Sequence, residues 1–553
     1  MTRRRSFRPR RAPASRPRPE TEALQRIDTL TRTARANWLG LLAYLAYVGV
    51  TLMGVEDADF FIPERQTDLP LIGVAVPTVL FFYVAPVLGA MLYVHLHLYL
   101  LKLWTALAEV PAQAGTAPLA ERITPWVISD MALVFRPGAA PPFALRYLTA
   151  AVGLLFIFAA GPVVLGFFFW RSAPKHDPWL TVLACGVPLV LVLFVGTVSL
   201  RRMLLAMRRG RRAATQTRWR RWLGAGLGGV LTLVMSVGLL GLGFAWSSDE
   251  WNRLGLPDYT TGLLVSADLR GVNFTHAPPD WQPREQAFAV FRREMCKADG
   301  LSPTVCGEGR EFPSSDNPAP DDAVVALREA WCAREFSENT TEHCGAYFEG
   351  FEARVREDWR TARIAELLAI RRDLANVDFR GADLTGTRIS GADLRGARMN
   401  GANLFLAEME GADLRGARMD FAILAGASIE SAQLQNARME GALLITTRME
   451  ATTLRRARLD GALLFGVRMD ASTTFTSASL QGAALYDVSL PPEVLSAEQL
   501  GVMFGDGSVR VPGIAPGGAG WPVHWSVRKL NWEEFEARWR AWQAALEGDG
   551  QAE

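Results

Sequence analysis

Hydrophobic residues follow two different patterns, which divide the chain into two halves. Up to residue 246, long apolar stretches alternate with short polar segments. A helix needs about 20 apolar residues to cross the ~30 Å hydrocarbon core of a bilayer, so each stretch predicts a membrane-spanning helix. Tryptophans stand near the ends of these stretches, as is usual at a membrane interface. The five predicted spans cover residues 38–55, 72–101, 145–170, 179–200 and 222–246.

The second pattern is a repeat with a period of five residues. From Leu374 to Met469 a large apolar residue recurs at every fifth position, and the residue two before it is usually Ala. The spacing slips by one residue near Thr474 and then resumes at Leu480. Such a repeat predicts a solenoid, in which stacked units bury a continuous core. The predicted core residues include Leu384, Ile389, Leu394, Met399, Leu404, Met409, Leu414, Met419, Leu424, Ile429, Leu434, Met439, Leu444 and Met449.

The repeating unit resembles that of the pentapeptide-repeat family. Its form is Ala-(Asp/Arg)-Leu-X-Gly, as in residues 392–396. The resemblance implies a right-handed quadrilateral β-helix, in which four units form one square coil and the central residue points inward. It therefore implies five coils within residues 371–490. The same five-residue spacing over residues 259–274 predicts a first coil at residues 257–276.

Two further segments complete the predicted outer domain. Residues 277–370 interrupt the repeat with helical stretches and a cluster of cysteines, so we expect a helical insert that covers the first coil. Clustered cysteines outside the cytosol usually form disulfides, and zinc is the weaker alternative because no C-x2-C pair is present. Residues 491–553 are predicted to cap the domain, with a helix at 531–546. The disulfide candidates are Cys296, Cys306, Cys332 and Cys344.

Charge is distributed unevenly between the two halves. Residues 1–246 hold 27 Lys and Arg against 12 Asp and Glu, whereas the remainder holds 32 against 45. Residues 1–35 carry eleven Arg among Pro, Ala and Ser, which predicts a disordered arm. The loop at residues 201–221 carries nine Arg. Basic loops favour the cytoplasm, so five spans place the N-terminus in the bacterial cytoplasm and the repeat domain in the periplasm, tethered to the inner membrane.

Two outward surfaces of the predicted β-helix are candidates for binding. An Arg ladder stands beside an acidic one, which indicates either a self-neutralised face or a row for polyanions. An apolar face indicates either a surface covered by the Trp-rich tail or an interface with a partner or a second copy. The ladder residues are Arg398, Arg418, Arg438 and Arg458. The apolar candidates are Phe405, Ile423, Leu443, Ile445, Leu463 and Phe465.

The leading functional hypothesis is a membrane-tethered binding or scaffold protein whose partners are the membrane and an unidentified protein. A signal-relay component with an outer sensor domain is one alternative. Some pentapeptide-repeat proteins mimic DNA and bind topoisomerases, but that role needs a cytoplasmic, strongly negative rod; we expect no nucleic-acid partner. His276, His343 and His524 are widely separated, so no catalytic, cofactor or metal site is expected. His95 and His97 are interpreted as lying near the membrane interface beside Lys102.

Overall fold

The computed structural model describes residues 19–69, 73–114, 117–139, 146–208, 267–276, 284–298 and 354–549, apart from single positions within them, together with isolated residues between 237 and 244. The chain forms two compact units, Met1–Ala267 and Asp268–Glu553. Each unit is described by itself below.

The first unit is built from helices and two short hairpins. Its helices are α1 (Pro19–Met53), α2 (Thr78–Glu109), α3 (Val127–Val134), α4 (Arg146–Leu154), α5 (Ala160–Ser172) and α6 (Val187–Arg208). A π-helical turn, Leu155–Ala159, joins α4 to α5, and a second one, Trp179–Gly186, leads into α6. The hairpins are antiparallel and pair β1 (Gln66–Leu69) with β2 (Val74–Pro77), and β3 (Gln113–Ala114) with β4 (Ala117–Pro118).

Four helices of this unit are long and apolar enough to cross a membrane. Their most apolar 18-residue windows have a mean hydropathy between 1.5 and 2.4, and helices of this kind fit the transmembrane bundle expected from the sequence. They cover Glu20–Met53, Thr78–Glu109, Tyr147–Lys175 and Trp179–Arg208. The fifth predicted span, residues 222–246, lies for the most part outside the described residues.

The first helix corrects the prediction of disorder as far as residue 35. Helix α1 already begins at Pro19, and residues 1–18 lie outside the described part of the chain. Ile27, Thr31 and Ala34 are buried at helical spacing, so the segment has an inward-facing side that its Arg content concealed. Helices with such a side are stabilised by packing rather than by composition.

The second span differs at both ends from the predicted 72–101. Residues Val74–Pro77 form strand β2, and helix α2 runs from Thr78 to Glu109. Proline cannot donate a backbone hydrogen bond, so Pro77 suits the junction where the strand ends and the helix begins. Pro86 is accommodated inside the helix.

The second unit is a β-helix with four faces, and residues twenty apart pair in parallel. Each coil contributes one short pairing position to each face, and on three coils these positions lengthen into the parallel strands β5 (Leu443–Ile445), β6 (Leu463–Phe465) and β7 (Ala484–Tyr486). The rungs of the first face are Asp268, Asp383, Asn403, Ile423, Leu443, Leu463, Ala484 and Phe504. The slip predicted near Thr474 is confirmed, because Thr453 pairs with Thr474 instead of residue 473.

The β-helix extends beyond the five coils predicted within residues 371–490. At its N-terminal end stands the predicted first coil, and at its C-terminal end a further coil that was not predicted. Asp268 pairs with Asp383 at the N-terminal end, and Ser489 pairs with Arg510 at the C-terminal end. Eight rungs on the first face, about 4.8 Å apart, give a stack about 34 Å high. The repeat pattern ended at residue 490 because the last coil replaces part of its path by helix α8 (Ala497–Gly501).

The first coil is assembled from two segments of the chain. Asp268 and Asn273 form its first two faces, whereas Asp373 and Asp378 form its third and fourth. The insert 277–370 therefore interrupts this coil between its second and third faces, and the whole coil is not contained in residues 257–276 as predicted. Residues 257–266 lie outside the described part of the chain. Within the insert the structure describes helix α7 (Arg284–Ala298) and a helical segment at residues 361–369, here called the insert helix.

The insert helix lies along the corner between the second and third faces. Arg363 is buried and pairs with Glu410, with Nε and Oε2 3.3 Å apart. The Leu367 side chain lies over Gly411, and the Leu367 carbonyl approaches Gly391 so closely that no side chain fits there. The insert thus packs on the side of the β-helix as well as interrupting its first coil.

Two corner glycines allow a test of this packing. Gly391 and Gly416 have the same φ of +69°, but only Gly391 has the insert helix against it. Gly416→Ala should cost about 1–2 kcal/mol in free energy of unfolding from left-handed strain alone. Gly391→Ala should cost a further ~1–3 kcal/mol because the insert helix must move. Chemical denaturation of the two purified full-length variants measures these losses. Equal losses of unfolding free energy would contradict the packing described.

Candidate interaction surface

The interior of the β-helix is filled by its own side chains. All fourteen predicted core residues are fully buried, from Leu384 to Met449. The residues two before them, twelve Ala and two Thr, fill the remaining space. Interiors packed in this way have little free volume. Whatever the described coils bind must therefore contact their outer faces.

The first face is the apolar one, and helix α9 (Trp532–Asp549) covers its C-terminal half. Phe535 is fully buried, with ring centroids 4.6 Å from Tyr486 and 5.2 Å from Phe504. Trp532 stacks on Phe465 at 5.8 Å. The candidate residues Leu443, Leu463 and Phe465 belong to this cluster. The Trp-rich tail therefore folds back over part of the apolar face.

Hydrogen bonds fix the position of α9 on this face. The Tyr486 hydroxyl donates to the Leu530 carbonyl at 2.8 Å, and Trp539 Nε1 donates to the Gly482 carbonyl at 2.8 Å. Asp506 is fully buried and accepts from the Leu530 backbone amide at 2.6 Å. Each buried polar group of these pairs would lose stabilisation if the helix left.

The N-terminal half of the apolar face carries large side chains that remain exposed in the described structure. Phe405 is 43% exposed, Leu406 52%, Phe421 50% and Ile423 38%. We call these four residues the open patch. Ile445, the remaining candidate, is half-buried between the open patch and the cluster under α9. Among the described residues, the apolar surface is thus continuous along the face and is covered only at one end.

Two residues of the open patch have an unusual backbone conformation. Leu406 and Phe421 stand at coil corners with φ of +56° and +59°, where most other corners have glycine. The left-handed conformation costs a non-glycine residue roughly 1–2 kcal/mol. Their side chains lie against glycines of the next coil. A Cβ atom built on Gly426 would lie 2.7 Å from Leu406 Cδ2, and one built on Gly441 would lie 2.6 Å from Phe421 Cε1.

Sequence analysis missed Leu406 and Phe421 as candidate binding residues. It examined only the positions directly before and after each core residue, whereas these two occupy the corner position. The signal was available, because a large apolar residue replaces the glycine of the repeating unit at both places.

The Arg ladder lies on the fourth face beside carboxylates of its own and adjacent coils. Arg458 Nη2 lies 2.9 Å from Glu440 Oε1, and Arg438 Nη2 lies 3.4 Å from Asp420 Oδ2. Arg398 lies 3.8 Å from Asp378, and Arg418 is exposed. These pairs favour the self-neutralised interpretation of this face over a row for polyanions.

The third face has its own charge pairs near the insert. Arg395 Nη2 and Arg371 Nη2 each lie 2.7 Å from Asp393 Oδ2. The hydrogen bonds from Arg395, together with the charge of Arg371, lower the pKa of Asp393 to about 2. Arg371 follows the insert helix directly, so this carboxylate helps to hold the insert where the chain rejoins the coil.

The remaining candidates are distributed as follows. His97 is buried and its Nδ1 lies 2.9 Å from Ser199 Oγ on α6, whereas His95 is exposed beside Tyr99. His97 therefore packs between helices, and the position of both histidines near the membrane interface stays a prediction. Cys306, Cys332 and Cys344 lie outside the described residues, as does the side chain of Cys296, so the disulfides stay a prediction. Cys185 is a buried free thiol.

Comparison with known proteins agrees with the repeat. The family model for pentapeptide repeats matches residues 371–401 and 402–441 with eight copies of the repeat. Among the curated proteins, none gave a significant match to the chain.

Several solved structures of pentapeptide-repeat proteins are similar to part of the chain. A pentapeptide-repeat protein (Rfr23) from the cyanobacterium Cyanothece 51142 is 27% identical, over 15% of this chain and 63% of that one, with a TM-score of 0.13. One from the Arabidopsis thaliana thylakoid lumen is 25% identical, over 22% and 63%, with a TM-score of 0.12. QnrB1, a plasmid-mediated fluoroquinolone resistance protein, is 20% identical, over 26% and 83%, with a TM-score of 0.17. The chain thus spans less than two thirds of the first two proteins, and TM-scores this low have no bearing on its function.

Proposed function

Since the chain carries a pentapeptide-repeat domain over residues 371–441, we propose that it is a membrane-tethered binding or scaffold protein that acts through the outer faces of its β-helix rather than by catalysis. The main support for this proposal is the filled interior of the β-helix, in which every predicted core side chain is buried. A rigid stack of coils with such an interior offers a long outer surface instead of a pocket. The four long apolar helices supply the tether.

We further propose that the repeat domain lies in the periplasm and the N-terminus in the cytoplasm. The support is the concentration of Arg in residues 1–35 and 201–221, because basic loops remain on the cytoplasmic side. This arrangement needs the fifth span at residues 222–246 in addition to the four described. Without it, the repeat domain would share the side of the N-terminus.

Cysteine labelling tests this topology. Val523 is fully exposed on the tail, so Val523→Cys reports the side of the repeat domain, and Ser6→Cys reports that of the N-terminus. In spheroplasts a membrane-impermeant maleimide should label the Val523→Cys peptide and leave Ser6→Cys unlabelled until lysis. Labelling of Val523→Cys only after lysis would place the domain in the cytosol and would revive the topoisomerase alternative.

Site-specific photo-crosslinking tests the binding role itself. A photoreactive amino acid is placed on each face in turn, at Phe405, Glu408, Gln433 or Arg418, in the full chain in its native membrane. A binding module should give a crosslinked adduct from one face and little from the others. No adduct with another macromolecule from any of the four positions would overturn the proposed function.

A further inference from the structure

The open patch has two properties that its own fold does not require. Phe405, Leu406, Phe421 and Ile423 leave about half of their surface in water, which disfavours the isolated domain. Leu406 and Phe421 also hold left-handed backbone angles that glycine adopts at equivalent corners, such as Gly386, Gly426 and Gly441. Other non-glycine corners, such as Ser431 and Thr446, hold similar angles with small polar side chains. The patch differs because its strained residues carry large apolar side chains that are exposed.

The same face already binds one amphipathic helix. Helix α9 places Trp532, Phe535 and Trp539 against coils 463–504. The cluster under α9 borders the open patch, because Trp532 stacks on Phe465 and Leu443 packs against the same cluster. The open patch is therefore an extension of an existing helix-binding surface.

The dimensions of the uncovered surface fit one more helix. The rungs at Asn403 and Ile423 lie outside the cluster under α9, and Leu443 lies at its edge. Neighbouring rungs are about 4.8 Å apart, so the three together span about 10 Å. A helix with its side chains is about 10–12 Å across, and packed helices lie 8–10 Å apart. One helix can therefore lie beside α9 on these three rungs.

The exposed area argues against a second copy of the chain as the occupant. Four half-exposed side chains of this size offer on the order of 300–400 Å². A stable dimer buries about 800 Å² on each partner. A single helix with an apolar face matches the smaller area, and helices commonly dock in apolar grooves through residues at i, i+3 or i+4, and i+7.

From these observations we propose that the open patch is the docking site for an amphipathic helix of a partner protein, which lies alongside α9. The helix presents aromatic and aliphatic residues at i, i+3 or i+4, and i+7, as α9 does. Leu406 and Phe421 flank it at the two corners of the face, and Ile423 lies beneath it. This inference rests on the proposed binding function and assigns it to one face and one class of partner.

A peptide titration tests the proposal. The probe is a synthetic peptide of residues 531–549, whose aromatic side is known to suit this face, added to the full-length protein in detergent. One peptide should bind per chain, as followed by the anisotropy of a fluorophore on the peptide. The double variant Leu406→Gly and Phe421→Gly should weaken binding roughly tenfold or more, because two of the four apolar side chains are removed.

A matched control separates the side chains from the backbone. Ser431 and Asn436 also occupy left-handed corners, with φ of +56° and +59°, but lie away from the apolar face. The double variant Ser431→Gly and Asn436→Gly should bind the peptide like the wild type. Both double variants should stay folded at the assay temperature, because relief of left-handed strain offsets part of the entropic cost of glycine. Melting curves of both variants check this, so that loss of binding is not ascribed to unfolding.

Three results would overturn the proposal. The peptide fails to bind the wild type; the patch variant binds as tightly as the control; or the wild type is a dimer that the patch variant alone converts to a monomer, which would assign the face to a second copy. Failure here is distinguishable from failure of the proposed function. An adduct at Gln433 or Arg418 but none at Phe405 would keep the binding role and exclude this face.

Discussion

The Leu434→Asp variant should lose its β-helix. Leu434 is fully buried and lies midway along the stack, directly between the coils above and below it. An Asp side chain at this place has no solvent and no partner, and burying it, charged or protonated, costs several kcal/mol in addition to the lost packing of Leu434. That is a large share of the roughly 5–15 kcal/mol that stabilises a typical domain. Circular dichroism and limited proteolysis of the detergent-purified full chain would measure the loss.

The neighbouring position provides the control for this experiment. Gln433 is exposed, and the equivalent residues one and two coils earlier are Asp413 and Asp393. Gln433→Asp should therefore retain the far-ultraviolet spectrum and protease resistance of the wild type. If Leu434→Asp stays folded, or if both variants unfold alike, the alternation of inward and outward residues described for this coil is incorrect.

The Phe535→Ala variant should release helix α9 and destabilise the last coils. Phe535 is fully buried among Tyr486, Phe504 and Trp532. Removing a buried phenyl ring costs about 3–5 kcal/mol, which is a large share of what holds one helix against one face. Hydrogen exchange should accelerate at Ala484–Tyr486 and along α9, while the coils before residue 440 keep their protection, because each coil contacts only its neighbours.

Arg540→Ala serves as the reference for this release. Arg540 is exposed on the same helix and pairs only with Glu536 one turn earlier, a contact worth about 0.3–0.5 kcal/mol. Its exchange pattern should match that of the wild type. Uniform acceleration throughout the β-helix in Phe535→Ala would mean that the domain unfolds as one unit and that α9 stabilises all of it.

The repeat could be predicted from the sequence because each of its units has the same pattern of large and small residues. A large residue at every fifth position, with Ala two before it, fits only a narrow stacked interior, and the spacing even located the extra residue near Thr474. The four long apolar helices could be predicted as readily, because long apolar stretches are evident from the sequence alone. Both signals are local and repeated, so no single residue had to be interpreted alone.

The features that could not be predicted depend on contacts distant in sequence. Nothing in the local pattern at residues 268–273 indicates that residues 373–378 complete their coil. The last rungs at Phe504 and Arg510 are separated from the repeat by helix α8, so their periodicity is hidden. The buried pair of Arg363 with Glu410 looks like two surface charges until the insert helix is in place.

Only two of the four residues of the open patch could be predicted from the sequence, for a related reason. Phe405 and Ile423 follow from the alternation of inward and outward positions. Leu406 and Phe421 do not, because an apolar residue at a corner is as readily explained by drift in the repeat as by exposure. The exposure of both side chains and the absence of α9 from these coils, within the described part of the chain, distinguish the two explanations.

The divided first coil has a consequence for biosynthesis. Leu269 and Phe274 leave the ribosome about a hundred residues before Phe379, which packs on Phe274 at 5.5 Å. At 5–20 residues per second, that delay is roughly 5–20 s. During this interval Leu269 and Phe274 lack the coil that buries them, whereas the helices that precede them have already been synthesised. The first coil therefore cannot close until residues 373–378 have been made, so its first two faces depend on synthesis of the whole insert.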